Sequence, residues 1–319
     1  MKMLSKAALL LAVLTSSAAH ADGYPDHPIR MLLPFSAGGG GDTLGRILAE
    51  RFATELKQPV IVENKPGAGG TIGIASAARS APDGYTITIG GMTTHVLAPA
   101  VYKSLPYDPI KSFISLGAIG NSAIMVIAAN DFPANNVAEL RKLSTSRKAP
   151  VQYGSWGIGS TGHFCGEVMV QKGGLKMEHV PYKGTPQVIT DVIGGHVDLG
   201  FVDMATATPM VTQHKVKALA VCTKRSPSVP DVQSYKEQGI DFDRDLNWAM
   251  YVPADTPAPI VQKLSATLEK VLKEPDIADK LLALGITAHY VSGPKHTQAS
   301  IADIEAWKAV AQDAGIPPQ

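Results

Sequence analysis

The chain has 319 residues, with 29 Lys and Arg against 28 Asp and Glu, and 45% of its residues are hydrophobic. That balance leaves no basic face for nucleic acid, and the length suits about two domains with real cores. Two cysteines, Cys165 and Cys222, are too few for a disulfide framework.

The first 21 residues read as an export signal rather than as part of the fold. "MKMLSK" is a positive n-region, "AALLLAVL" an apolar h-region, and "AHA" ending at Ala21 a cleavage site. The apolar stretch is short for a membrane span, and no later stretch is long and apolar enough for one. Cleavage after Ala21 leaves 27 basic and 28 acidic residues in an exported chain, and the expected location is periplasmic. An oxidising compartment permits a Cys165–Cys222 disulfide. Cysteine also behaves as a small buried hydrophobe, and two free buried thiols are the expectation.

From residue 29 the period alternates between strand and helix. "IRMLLPF" reads as a buried strand. In "TLGRILAERFATEL", Leu44, Ile47, Leu48, Phe52 and Leu56 make one apolar helix face. "PVIVEN", "GTIGIASAARS" and "YTITIGG" follow as strand, helix and strand, with "PDG" turning into the last. Such a β-α-β-α-β order predicts a parallel sheet flanked by helices. After "YKSLPYDPIKSF" the alternation restarts with "SAIMVIAAN" and runs to "VKALAVCT", a second α/β unit over roughly 122–230. "LNWAMYVPA" then reads as a strand, and "APIVQKLSATLEKVLK" and "TQASIADIEAWKAVAQDAG" as helices. These are too few strands for a third domain, so they are expected to return to the first sheet. The predicted organisation is α/β and two-lobed, each lobe a mainly parallel sheet: residues 22–121 with 231–319, and residues 122–230, joined by two hinge crossings. A cleft between two such lobes is a usual small-molecule site.

"MLLPFSAGGGGDTLGRIL" places four glycines where a strand gives way to a helix beginning near Asp42 or Thr43. The first turn of a helix has unpaired N–H groups and favours an anion, glycines let a ligand approach the backbone, and Asp42 is a candidate cap. "ENKPGAGGTIG" and "YGSWGIGSTGHF" repeat the arrangement. In parallel sheets these loops lie together at the carboxyl ends of the strands. A dinucleotide site competes, through Gly39, Gly41 and Gly45 with Glu63 some 20 residues on. Against it stand the exported location, the anion loop repeated in the second unit, and the lack of a G-x-x-x-x-G-K-[ST] motif.

Catalysis finds little support. His163 and Cys165 are two apart and face different sides of a helix, so His163 is expected to pack or cap there. His179, His196 and His214 lack metal-ligand spacing. Asp198 and Asp203 bracket the strand "LGFV", well over ~10 Å apart. No catalytic residue, metal or cofactor is expected; an exported oxidoreductase or hydrolase is the alternative function.

"LPFSAGGGGDTLGR", "QPVIVENKPGAGGTIG", "APDGYTI", "YKSLPYDPIKSF", "VPYKGTPQVITDVIGGHVDLGF", "VKALAV" and "PADTPAPIV" occur in this order. Together they resemble the Bug family, the TctC-like extracytoplasmic solute receptors of tripartite tricarboxylate transporters, from about residue 24 onward. The resemblance implies a monomeric periplasmic binding protein that closes on a small organic carboxylate and serves membrane transporter components. It also implies that backbone N–H groups and waters hold one carboxylate. The first loop is then Phe35, Ser36, Ala37, Gly38, Gly39, Gly40 and Asp42. The second is Ser155, Gly157, Ile158, Gly159, Ser160, Thr161 and His163, with Phe201 and Asp203 facing the same cleft. The family usually has proline at Ala37, leucine at Phe164, and fewer glycines in the first loop. The far end of the ligand is expected among Thr93, Thr94, His95, Trp156, Tyr182, Lys183, Asp203 and Trp248. Trp156 is placed to stack on an aromatic acid, or to form the rim.

Overall fold

The computed structural model describes residues 23–242, 244 and 246–313; the export signal lies outside them. The first three strands, β1 (Ile29–Leu33), β2 (Val60–Asn64) and β3 (Thr86–Gly91), are joined by helices α1 (Gly40–Leu56) and α2 (Thr71–Ala78). β1 pairs in parallel with both β2 and β3, with Ile29 opposite Val60 and Arg30 opposite Thr86. Every residue of β3 is buried, as expected of a strand covered on both faces. Leu44, Leu48, Phe52 and Leu56 of α1 are buried at four-residue spacing, the stripe that docks the helix on the sheet.

A π-helical turn (Met92–Leu97) and α3 (Ala98–Val101) lead to β4 (Phe113–Ser122), a ten-residue strand with no clear sequence signal. After Ala123 the chain continues directly as β5 (Ile124–Ala128) of the second sheet. The second unit then adds α4 (Val137–Ser146), β6 (Val151–Ser155), α5 (Thr161–Gln171), β7 (Met177–Pro181), α6 (Thr185–Ile193), β8 (Leu199–Asp203), α7 (Met204–Thr212) and β9 (Lys217–Val221). The chain returns as β10 (Leu246–Pro253), α8 (Ala258–Leu272), α9 (Pro275–Ala283), β11 (Thr287–Ser292) and α10 (Gly293–Asp313).

The sheet orders are β11-β4-β10-β3-β1-β2 and β7-β6-β8-β5-β9. In the first sheet β10 and β11 run against the other strands, and in the second β5 does. The fold is thus mixed α/β in two sheets, with most strands of each pointing one way.

Two sequence expectations are corrected here. The expected lobe division after residue 230 falls too early. Ser234 bridges to Val221, Tyr235 donates to the Cys165 carbonyl at 2.9 Å, and Ile240 and Phe242 join the core of the second unit. The last helix also spans both units, because Trp307 packs edge-on against Phe164 with ring centres 4.7 Å apart. The two cysteines, expected as free thiols, form a disulfide from α5 to the residue after β9, with Cα atoms 5.9 Å apart. Both lie in one buried cluster. Their 57-residue separation carries no sign of that proximity.

A cross-link closing a loop of that length restricts the unfolded chain by up to about 4 kcal/mol. Replacing both cysteines by alanine is expected to lower the unfolding free energy by about 2–4 kcal/mol, measured by urea titration of oxidised wild type and double variant side by side. Equal midpoints would show that the bridge does not stabilise the fold.

Candidate functional site

The carboxyl ends of β1, β2 and β3 face those of β6, β7 and β8 across one cavity of about 70 Å³. One buried water needs roughly 10–15 Å³ by the same measure, so this space suits a compact solute. The three glycine loops meet here. The first supplies Phe35, Ser36, Gly39, Gly40 and Gly41, the second Gly67 and Gly70, and the third Trp156 and Thr161.

Helix starts set the electrostatics. α1, α2 and α6 begin at the cavity wall behind Gly39, Gly70 and Gly184, and no side chain caps any of the three. Their first-turn N–H groups and dipoles therefore favour an anion. α5 and α7 begin beside the same cavity but cap themselves. Ser160 Oγ accepts from His163 N at 3.1 Å, and Asp203 Oδ1 accepts from Thr206 N at 2.9 Å and Thr206 Oγ1 at 2.8 Å. The helix of the first loop starts at Gly40, two residues earlier than expected, and Asp42 is not its cap.

Asp42 instead anchors the loop. Its carboxylate accepts from Gly38 N at 2.9 Å, Asn64 Nδ2 at 2.9 Å and Arg46 Nε at 3.0 Å. Burial alone would raise its pKa, but the bonds from Arg46, Gly38 and Asn64 hold it below the usual carboxylate range. Asn64 also donates to the Phe35 carbonyl at 3.1 Å, tying the end of β2 to the same loop.

The two halves are in contact. Ser36 Oγ donates to the Lys183 carbonyl at 3.1 Å, Thr93 and Thr161 hydroxyls lie 3.1 Å apart, and Tyr102 OH donates to the Ile158 carbonyl at 2.9 Å. Gly40 is essential to this approach, since a Cβ there would sit 2.0 Å from Asp203 Oδ1. Gly157, at φ +118°, lets its backbone pass so close to Gly69 that a Cβ would lie 3.1 Å from that amide nitrogen. The facing loops of the two halves thus touch at several points around the cavity.

Of the residues named from sequence, Phe35, Ser36, Gly39, Gly40, Thr93, Thr94, Trp156, Thr161, Lys183, Asp203 and Trp248 line the cavity. The others do not. Ala37 and Gly38 are exposed in the turn before α1. Gly157, Ile158 and Gly159 form the clasp against Gly69 and Tyr102. Ser155 and His163 belong to a buried network behind it, where Ser155 Oγ meets His179 Nε2 at 2.8 Å and the two histidine rings lie 4.2 Å apart. Tyr182 donates to Asp191 Oδ2 at 2.7 Å, and Phe201 is a core residue packed edge-on against Tyr153. His95 is buried one step behind the wall, stacked on Tyr251 with ring centres 3.9 Å apart. Asp198 is engaged elsewhere by Arg147 and Gln152.

The sequence reading missed Gly90, Gly91 and Met92, the residues Ser122, Ala123 and Ile124 where the chain crosses between sheets, the pair Gly184 and Thr185, and Leu246 and Asn247. "KGTP" held a usable signal, since proline within the first turn marks a helix start. The crossing residues carry none. Among the described residues no group of three or more metal-ligating side chains converges, and no helix is long and apolar enough to cross a membrane.

The family model of the tripartite tricarboxylate transporter family receptors, TctC, matches residues 44–316. The chain belongs to the TctC family. A UPF0065 protein of Agrobacterium vitis is 36% identical over 282 residues, 88% of this chain and 81% of its own. The periplasmic binding protein BugD superposes with a TM-score of 0.88 at 34% identity, covering 93% of this TctC chain and all of BugD. An R. palustris protein solved with adipate gives a TM-score of 0.89 at 28% identity, again over 93% and 100%. TctC proteins are periplasmic solute-binding receptors, which are not an enzyme class.

The buried histidines of this TctC chain set its acid limit. Burial lowers His163 to about 4, and burial with the His163 charge lowers His179 to about 3. Burial likewise lowers His296 to about 4, and burial with the His296 charge lowers His95 to about 3. Unfolded histidines protonate near ~6.5. Between about pH 6.5 and 4 the unfolded chain therefore binds more protons, and stability falls as pH falls. Each neutral histidine contributes about 1.4 kcal/mol per pH unit in that window. Urea unfolding at pH 7.5, 6 and 5 is expected to show stability constant above about 7 and dropping steeply below 6; a flat profile would contradict neutral burial of these rings.

Proposed function

We propose that the protein captures a small organic carboxylate by cleft closure and delivers it to the membrane components of a tripartite transporter. The carrying observation is the convergence of three uncapped helix starts, behind Gly39, Gly70 and Gly184, on one cavity between the lobes. A carboxylate there accepts hydrogen bonds from N–H groups that no side chain satisfies. Thr93, Thr161 and Lys183 add polar contacts, while Met92, Ile124, Trp156 and Trp248 supply apolar wall for a hydrocarbon body. The cavity volume favours a compact mono- or dicarboxylate, aliphatic or aromatic, and the adipate in the R. palustris relative is of that class.

The binding groups come from both lobes, so ligand binds the closed state more tightly than the open one and drives closure. No reacting group is required, and the ligand is expected to be recovered unchanged. Periplasmic location follows from the family and from the export signal read in residues 1–21, and a monomer suffices because one chain supplies the whole cavity.

A thermal-shift panel of C4–C6 dicarboxylates, citrate, benzoate, phthalates and acidic amino acids, with NAD(P) as control, tests this function. A ligand at 100 times its Kd stabilises by about 2.7 kcal/mol. Stabilisation by one carboxylate class is expected, with a smaller radius of gyration in solution scattering; stabilisation by NAD(P) alone would overturn the proposal. In Gly40→Ala the added Cβ collides with Asp203 of the facing lobe, 2.0 Å from its Oδ1. Carboxylate affinity is expected to fall at least about tenfold, or about 1.4 kcal/mol, with the circular dichroism spectrum unchanged. Wild-type affinity in that variant would show that ligand binds without this closure.

A further inference from the structure

A second cavity, of about 10 Å³, lies one residue behind the ligand cavity. Thr94 lines the first, and His95 lines the second with Phe113, Ser115, Tyr251, His296 and Ser300. Seven buried side-chain atoms lack a hydrogen-bond partner among the described residues, and four of them belong to this cavity. They are His95 Nε2, Tyr251 OH, His296 Nε2 and Ser300 Oγ. Their residues are 1%, 4%, 4% and 3% exposed, so bulk water does not satisfy them. Buried polar atoms are almost always paired, and four orphans around one void point to an occupant.

Size, charge and hydrogen-bond directions identify it. The volume is close to the roughly 10–15 Å³ that one water requires. The lining holds no carboxylate, and burial keeps both rings neutral at neutral pH, so a divalent cation would be buried without charge compensation. Thr94 Oγ1 accepts from Gly91 N at 3.3 Å and lies 2.9 Å from His95 Nδ1. If the Thr94 hydroxyl gives its proton to Nδ1, His95 Nε2–H is a donor into the cavity. On the opposite side His296 Nδ1 lies 3.1 Å from Ser115 Oγ. If that nitrogen donates to the hydroxyl, His296 Nε2 is an acceptor into the cavity. A molecule with two donors and two acceptors then matches one donor, one acceptor and two hydroxyls.

We propose that this cavity is a permanent site for one water molecule. The water accepts from His95 Nε2–H, donates to His296 Nε2, and completes its shell with Tyr251 OH and Ser300 Oγ. It ties the π-helical turn, β10 and α10 together, so the wall carrying Thr94 is fastened to the helix that spans both lobes.

Three measurements on the purified protein test the site. High-resolution diffraction is expected to show one neutral oxygen within hydrogen-bond distance of all four atoms. No density there, or an anomalous signal with metal in elemental analysis, overturns the proposal. Nitrogen-15 spectra are expected to show His95 protonated at Nε2 and His296 at Nδ1; the reverse assignment, or a charged ring at neutral pH, overturns it. Ser300→Val places methyl groups in the void, and oxygen-17 relaxation dispersion is expected to count one fewer long-lived water than in wild type. An unchanged count in a folded variant overturns it. Should the variant not fold, the wild-type diffraction and spectra decide alone.

Discussion

Backbone N–H groups at the start of a helix must find an acceptor, and the cavity is organised around three helices whose own side chains provide none. Capping a helix with glycine instead of serine, threonine or aspartate gives up a side-chain hydrogen bond. Here that occurs at Gly39, Gly70 and Gly184, each at the end of a parallel strand and each facing the same space. A glycine also leaves that space open to a ligand, so the missing cap and the missing side chain serve one purpose. The parallel strands are what bring the starts together, because helices after parallel strands all begin on one edge of a sheet.

The crossing between sheets belongs to the same geometry. Residues from both lobes line the cavity, so neither lobe forms it alone. The chain passes between sheets with only Ala123 separating β4 from β5, and returns into β10. The halves meet through backbone approaching backbone, as at Gly157 and Gly69, and through the Asp203 carboxylate approaching Gly40. A Cβ at Gly40 would collide outright, and at Gly157 and Gly69 positive φ and 3.1 Å contacts favour glycine on both sides of the cleft.

Much of this was legible in the sequence. Alternating periods gave the strands and helices around the first and second glycine loops, and the glycine clusters marked where the cavity would lie. What failed to show had physical causes. β4 contains two glycines and two serines where a strand usually has branched residues, and its long pairing with β10 supplies the stability that propensity does not. β11 is half-exposed at a sheet edge and lacks a buried run. The third glycine loop divides in two: Trp156 and Thr161 reach the cavity, whereas Gly157 to Gly159 clasp the other lobe. Sequence spacing places a loop at the site without saying which of its residues face the ligand. Asp42 shows the same limit. An acid beside an anion loop looks like a cap or a ligand, but its partners Asn64 and Arg46 lie on a neighbouring strand and one turn along.

The distribution of caps decides where charge can sit. Five helices start beside the cavity, and were all five open, the field would favour negative charge across the whole space. Ser160 and Asp203 instead close α5 and α7 with their own oxygens. Asp203 adds a negative charge inside the cavity wall. The open starts are those of α1, α2 and α6, and Asp203 stands beside two of them: a Cβ on Gly40 would sit 2.0 Å from its Oδ1, and its partner Thr206 has its hydroxyl 3.2 Å from that of Thr185. The wall away from these starts is apolar, with Trp156 and Trp248 among its residues. Which helix starts carry an acceptor of their own is set by single residues at the positions preceding each first turn: glycine at 39, 70 and 184, Ser160 and Asp203 at the other two.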